Sequence, residues 1–403
     1  MARERKQDKS FVKEQQLGKV YQLIEQFEEI SRIDLSKLSR LAPATITSLT
    51  RKLIDQKLIM EKAVRNTEHR GRPAIGLCVS PFYWQSLCAI LTEDRFDMFL
   101  CELDGTLIAE QSFHLTLENI ANLSTALIDC VERFIQQTQC QTERIITFSV
   151  AVTGQLDEQM AYCYPLGNRI LHLDLKSLFQ NHFNLPVVIT DYFETWLFAE
   201  SSVGSVIGCE NVLFLQLNDR VNLSVLSEGD VICCNQQAKI NVDKLIAPQL
   251  HPLQTKLNPR LGEIERYQMI NQITHKALYQ LIDMLYPDNQ CNDNNEKIRF
   301  LCRKIDLQES NALSILHLVT DVTAYLILCL VDMFSPKKVM LDSSLLLAKE
   351  AFLSRLNQRL SLFHCNVEIV ISRYEWNSPE VLTAAIKQRL YDGSLLGHLA
   401  QNH

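Results

Sequence analysis

The side chains best placed to do chemistry in this 403-residue chain lie close together, near its N-terminal end. The segment PATITSLTRK, residues 43–52, sets small and hydroxyl residues ahead of two cations. At helical spacing Ile46, Leu49 and Leu53 recur at i, i+3 and i+7 and point inward. That leaves Ala44, Thr45, Thr47, Ser48, Arg51 and Lys52 facing outward. Hydroxyls at a helix start suit base edges or phosphates, and cations one turn later suit a phosphate strand. The plain alternative is a solvated helix in a protein–protein module. A second group follows at Arg70-Gly71-Arg72-Pro73, with Arg65 and His69 just upstream. Such a compact cationic tip fits a narrow minor groove, where the potential is most negative. The plain alternative here is a solvated linker.

Elsewhere the chain offers little for catalysis. Thirteen cysteines occur without a CxxC pair, which fits a reducing compartment and small buried side chains. Adjacent Cys233-Cys234 read as a redox pair, metal ligands or strand packing. Glycine is scarce, 12 residues in 403. Phosphate-cradling loops need glycine for close backbone approach, so a nucleotide enzyme is disfavoured.

The elements that would hold the first two groups are legible. Leu17, Val20, Tyr21, Ile24 and Phe27 fall on one helical face. Ser31 offers an N-cap oxygen to a second helix, with Asp34 three residues on and Leu35 and Leu38 on its core side. Pro43 suits the first turn of a third helix. Leu58–Val64 and Ala74–Val79 have strand composition around the cationic loop. Together, residues 1–80 are expected to form a winged helix-turn-helix DNA-binding domain. They hold 16 Lys+Arg and 10 Asp+Glu, a net of +6, and the remaining residues hold 24 and 37, a net of −13. A basic head on an acidic body suits binding to a polyanion.

The body reads as mixed α/β. Gln85–Thr92, Phe96–Leu103 and Thr106–Leu115 form a meander turning at Asp104-Gly105, followed by a helix from Leu117 to about Gln139 and a strand at Ile145–Ala151. Pro186–Thr190 is a strand leading into a helix from Tyr192. A second set of strands falls at Val212–Leu217, Val221–Leu226, Asp230–Cys234, Lys338–Leu341 and Val367–Ile371. Residues 81–195 are expected to form one lobe, joined by the C-terminal helix. Residues 196–403 would form a second lobe with oligomerisation helices. The apolar run Ala312–Phe334 is broken by His317, Asp321 and Asp332, so a core helix is expected rather than membrane insertion. The opening MARERKQDKS has no apolar h-region, and a cytoplasmic location is expected.

The stretch SRIDLSKLSRLAPATITSLTRKLIDQKLI, the RGRPAIGL after it and the tail YDGSLLGHL resemble the ROK-family repressors along the full length. The resemblance implies an α/β fold, with a winged helix-turn-helix followed by a two-lobed actin-like body of the ROK sugar-kinase type. It also implies a sequence-specific DNA-binding regulator, a repressor of sugar-uptake or sugar-metabolism genes. Its implied partners are a double-stranded operator and further copies in a homodimer or tetramer. The implied switch is a phosphotransferase-system protein or a sugar-phosphate effector. Asp191 matches the family's aspartate that takes a sugar-hydroxyl proton, an effector-binding role; as a plain alternative it caps the helix beginning at Tyr192.

Departures from the family pattern are as informative. Thr92-Glu93-Asp94-Arg95-Phe96 stands where the kinases carry an Asp-x-Gly-Gly-Thr phosphate loop, and Leu341-Asp342-Ser343-Ser344 replaces the glycines of the second phosphate site. No kinase activity and no cofactor are therefore expected, with a residual sugar kinase as the alternative. The family's zinc set is replaced by Lys239-Ile240-Asn241-Val242-Asp243-Lys244 and a lone His251, so no metal is expected. Sugar contacts made by that set would be lost with it. A regulator controlled by a protein partner rather than a sugar is the further alternative.

Overall fold

The computed structural model describes residues 2–63, 75–81, 83–116, 121–157, 160–166, 169–232, 240, 242–291 and 293–399. They form two compact units, Met1–Thr195 with Trp376–His403, and Trp196–Glu375. The segment expected as a second lobe, 196–403, thus divides after Glu375.

In the first unit, helix α1 (Ala2–Gln26) leads through β1 (Ile30–Ser31) into α2 (Arg32–Ser39) and α3 (Pro43–Asp55), then β2 (Ile59–Ala63) and β3 (Ile75–Val79). The three strands form one antiparallel sheet in the order β1-β3-β2, with Ile30 opposite Leu77 and Ile59 opposite Val79. Leu17, Val20, Tyr21 and Ile24 of α1 are buried with Leu35, Ile46, Leu53 and Leu77. Two residues expected in this core lie outside it, Phe27 at 51% exposure and Leu38 at 50%. Phe27 falls just past the end of α1, where Glu28 takes a positive φ and turns the chain. Helix α2 spans two turns and buries only Leu35.

The rest of this unit centres on a five-stranded sheet ordered β11-β7-β4-β5-β6. Its strands are β4 (Gln85–Leu91), β5 (Arg95–Glu102), β6 (Leu107–His114), β7 (Ile145–Val152) and β11 (Val187–Asp191). Strand β7 is buried at every position, as expected of a strand covered on both faces. Helices α4 (Leu123–Thr138) and α5 (Leu175–Phe183) bury Leu127, Phe134 and Phe179 in the core beside it. Between β7 and α5 a small antiparallel sheet interposes, made of β8 (Gln155–Leu156), β9 (Tyr162–Leu166) and β10 (Arg169–Leu173). No alternating pattern marks it in the sequence, because its strands span only two to five residues. Helix α6 (Tyr192–Val203) follows β11.

The second unit repeats the topology. Its sheet runs β14-β13-β12-β15-β16, built from β12 (Val212–Leu217), β13 (Val221–Ser227), β14 (Asp230–Val231), β15 (Lys338–Ser343) and β16 (Glu368–Ile371). In both sheets the first strand pairs antiparallel with the second and parallel with the fourth. The helices are α7 (Glu263–Arg266), α8 (His275–Leu285), α9 (Asn294–Asp306), α10 (Ser310–Phe334) and α11 (Lys349–Leu362). The apolar α10 is buried along much of its length, so its hydropathy goes into core packing. Its Asp321 is 6% exposed, accepts from Arg355 Nη2 at 3.1 Å and forms an ion pair with Arg359 at 2.8 Å. Helices α12 (Pro379–Tyr391) and α13 (Ser394–Leu399) return the chain to the first unit.

Candidate nucleic-acid interface

Helix α3 owes its start to Pro43 in its first turn, which fixes φ and gives up an N–H that would otherwise lack a partner. Before it, the Ser31 hydroxyl caps α2 by accepting from the Asp34 N–H at 3.2 Å and donating to the Asp34 carboxylate at 2.7 Å. Those bonds, with Lys37 alongside, hold the Asp34 carboxyl below its ordinary range. The turn between the helices is pinned as well. Arg40 takes the left-handed conformation, and the Ser36 hydroxyl donates to Leu41 O at 2.7 Å.

On α3, Ile46, Thr50 and Leu53 point into the head and are fully buried. Ala44, Thr47, Ser48 and Arg51 are exposed, while Thr45, Leu49 and Lys52 are partly covered. The inward and outward assignment read from the sequence therefore describes the folded helix closely. Thr47 donates its hydroxyl to Pro43 O at 2.9 Å, so toward solvent it acts as an acceptor. Arg70, Gly71 and Arg72 lie outside the described residues, as do Arg65 and His69.

Two supporting sets are not evident in the sequence. Arg32 donates through Nε to the Thr50 hydroxyl at 3.1 Å and through Nη2 to Glu61 at 2.6 Å, tying α2 to α3 and β2. The second set fixes α1 against the C-terminal helices. The Tyr391 hydroxyl donates to Glu25 Oε2 at 2.6 Å, and Lys387 pairs with Glu25 Oε1 at 2.8 Å. Burial, then the Glu25 charge, drives the Tyr391 hydroxyl well above its ordinary range. Gly18 permits this approach: a Cβ there would stand 2.6 Å from Leu390 O and nearer still to Tyr391 O. These partners lie 366 positions apart in the chain, so no local pattern announces them.

The body places the remaining candidates. Asp191 is 6% exposed, and its Oδ1 accepts from the N–H groups of Phe193 at 2.9 Å and Glu194 at 3.1 Å. This is a helix cap on α6. The β4–β5 turn, where the resemblance puts a phosphate loop, is closed on itself. Thr92 Oγ1 accepts from Arg95 N at 2.9 Å and donates to Asp94 at 2.9 Å. At the end of β15, Asn218 Oδ1 accepts from Ser344 N at 3.0 Å, and His275 bridges Asp219 at 3.1 Å and the Ser344 hydroxyl at 2.7 Å. The N–H of Ser344 is therefore engaged within the protein.

Among the described residues, those in the region of the family's zinc set are engaged in other bonds. Asp243 is 5% exposed and accepts from Val221 N at 2.9 Å and Arg220 Nε at 3.3 Å. His251 Nδ1 accepts from Leu253 N at 3.2 Å. Both are occupied structurally, while Lys239, Asn241, Cys233 and Cys234 lie outside the described residues.

Comparison with known proteins accords with this architecture. Residues 91–235 match the ROK family profile. The DNA-binding transcriptional repressor Mlc of Escherichia coli K12 is 23% identical over 398 residues, covering 97% of each chain. The DNA-binding transcriptional dual regulator NagC of the same strain is 23% identical over 401 residues, again covering 97% of each. Among solved structures, a ROK family transcriptional regulator that is a homologue of E. coli Mlc superposes with a TM-score of 0.80 at 24% identity, over 97% of this chain and 100% of that one. A ROK hexokinase from Thermus thermophilus superposes with a TM-score of 0.55 at 16% identity, over 78% of this chain and 99% of that one. The chain is thus similar to the ROK family over residues 91–235 and, along nearly its whole length, to the Mlc and NagC regulators.

Proposed function

We propose that this protein is a sequence-specific DNA-binding transcriptional regulator, a repressor of sugar-uptake or sugar-metabolism genes, without kinase activity. The observation that carries the reading is the outer face of α3. Ala44, Thr47, Ser48 and Arg51 are exposed there, on a helix whose opposite face is locked into the head. In the proposed mechanism a cytoplasmic homodimer sets two α3 helices in successive major grooves, roughly 34–36 Å apart. Thr45, Thr47 and Ser48 read base edges and Arg51 and Lys52 hold phosphates. Arg70 and Arg72, with Gly71 letting the backbone approach, enter the flanking minor grooves.

The sugar connection rests on relatives whose names include an N-acetylglucosamine repressor and a xylose repressor. The self-closed β4–β5 turn supports the absence of kinase activity, and the altered zinc region supports, as the alternative, control by a protein partner rather than a sugar. Asp191 is the position at which a sugar effector would be tested.

The decisive experiment maps bound promoters across the genome, then measures affinity for one of them against salt. Arg51→Ala should flatten the slope of log K against log salt by about 1 per protomer, the signature of one lost phosphate contact. Arg72→Ala should weaken operator binding severely at physiological salt. Unchanged affinity in both variants would remove this face from the mechanism. An ATP-dependent phosphorylation assay over a sugar panel should show no turnover.

A further inference from the structure

The small sheet β8-β9-β10 brings together three side chains of metal-ligating type. Cys163 on β9 and His172 on β10 are directly opposite in the antiparallel register, so their side chains share one face. Asp157 sits just past β8, in a turn where its Oδ1 accepts from Ala161 N at 2.8 Å and its backbone N–H donates to Ala161 O at 2.9 Å. Its Oδ2 lies beside the His172 ring. The thiol sulfur, the His172 Nδ1 and the Asp157 oxygen all lie within 4.8 Å of one another.

The individual distances say what the arrangement suits. His172 Nδ1 stands 3.4 Å from Asp157 Oδ2 and 3.5 Å from Cys163 Sγ. As a hydrogen bond the first is long, since N–H···O contacts cluster at about 2.7–3.2 Å. A single ring nitrogen also has only one proton or one lone pair to offer two neighbours. Around a tetrahedral zinc ion, with Zn–S about 2.3 Å and Zn–N and Zn–O about 2.0–2.1 Å, the S···N edge is about 3.5 Å and the N···O edge about 3.3 Å. Both observed separations match those edges.

We infer that Asp157, Cys163 and His172 form a binding site for a divalent zinc-type ion, held by one carboxylate oxygen, one thiolate and one imidazole nitrogen. On binding, the thiol proton leaves to solvent. Thiolate and carboxylate then balance the 2+ charge, and the imidazole adds a neutral donor. The bond from Ala161 N to Oδ1 is the outer-shell contact that orients a ligating carboxylate. Cys163 is 7% exposed, whereas the His172 side chain is 59% exposed. The fourth position therefore opens to water on the His172 side, unlike a closed four-ligand structural site. One zinc per chain here would overturn the expectation, drawn from the residues of the Lys239 to His251 region, that the protein binds no metal.

The test uses full-length protein stripped with a chelator and titrated with zinc chloride by calorimetry, then with cobalt(II) followed by absorption. One zinc per chain, a zinc-dependent rise in Tm and a thiolate-to-cobalt charge-transfer band are expected. Cys163→Ser should abolish that band. His172→Ala, at a side chain exposed enough to spare the fold, should weaken zinc by more than the roughly 10–100-fold that loss of an outer-shell partner costs. Asp157→Asn should weaken it as well. Failure of the wild-type chain to take up stoichiometric zinc would overturn the site. So would uptake that is equal in wild type, His172→Ala and Asp157→Asn.

Discussion

Gly18 offers a sharp test of how the head is seated, because two physical effects predict opposite signs for one substitution. In a helix interior, replacing glycine by alanine ordinarily stabilises by about 1 kcal/mol through reduced backbone entropy in the unfolded chain. Gly18 lies inside α1, so Gly18→Ala would be stabilising if that helix stood clear of its neighbours. The new Cβ would instead meet backbone: Leu390 O at 2.6 Å, Gly393 N at 2.8 Å, and Tyr391 O closer than either. Backbone carbonyls at a helix end cannot rotate away as a side-chain tip can, so α1 and α12 must separate by several tenths of an ångström. That shift also stretches the bonds from Tyr391 and Lys387 to Glu25, now 2.6 and 2.8 Å. Overpacking of this kind costs about 1–3 kcal/mol. Toward the upper end of that range, the net result is a loss of about 1–2 kcal/mol after the helix gain. For a unit of this size the expected change is a Tm about 2–8 °C lower. Thermal unfolding of Gly18→Ala beside wild type, followed by circular dichroism, measures it. A Tm that rises would show that propensity governs and that α1 is not packed on α12 as described.

Other consequences can be checked as directly. Leu35→Ala should cost about 2–5 kcal/mol, whereas Leu38→Ala, half exposed, should change stability by less than about 0.5 kcal/mol. Equal effects in denaturant titrations would contradict the burial of α2. Asp191→Ala should cost about 1 kcal/mol as a lost cap, and Asp191→Asn should be close to neutral. If Asp191→Asn keeps its Tm but loses response to a sugar that releases wild type from DNA, the residue contacts the effector. Burial drives the Tyr279 hydroxyl up to about 12 and raises Tyr21 and Tyr286 in the same direction. A group whose folded pKa is raised keeps its contribution below the unfolded value of about 10 and loses it as pH climbs through the folded one. Tm should therefore hold between pH 8 and about 9.5 and fall from about pH 10 to 12; a flat profile there would contradict the covering of these phenols, full at Tyr21 and partial at Tyr279 and Tyr286.

The head was largely legible in the chain. Ser31, Asp34 and Pro43 act over three or four residues, so capping and first-turn chemistry appear in the letters themselves. The inward stripe of α3 follows from helical period alone. Phe27 and Leu38 were misplaced because periodicity does not say where a helix ends or how many of its turns are covered. In the body, strands such as β7 announced themselves as continuous apolar runs. Their common order in the two sheets depends on pairing between distant segments, which the letters do not encode locally.

The candidate sites divide along the same line. The sequence by itself determined which face of α3 turns away from the core, since the helical repeat fixes side-chain direction residue by residue. It also determined that glycine-lined phosphate loops are missing from the positions where the resemblance places them, since that is a matter of residue type. Only the tertiary structure decided that Asp191 caps α6, that Glu25 is shared by Tyr391 and Lys387, and that Asp157, Cys163 and His172 converge. The Asp191 cap is local, made by N–H groups two and three residues on, whereas the other two depend on distances between separate elements. Such distances are set by strand register and helix docking, in which a one-residue slip would turn a side chain to the opposite face.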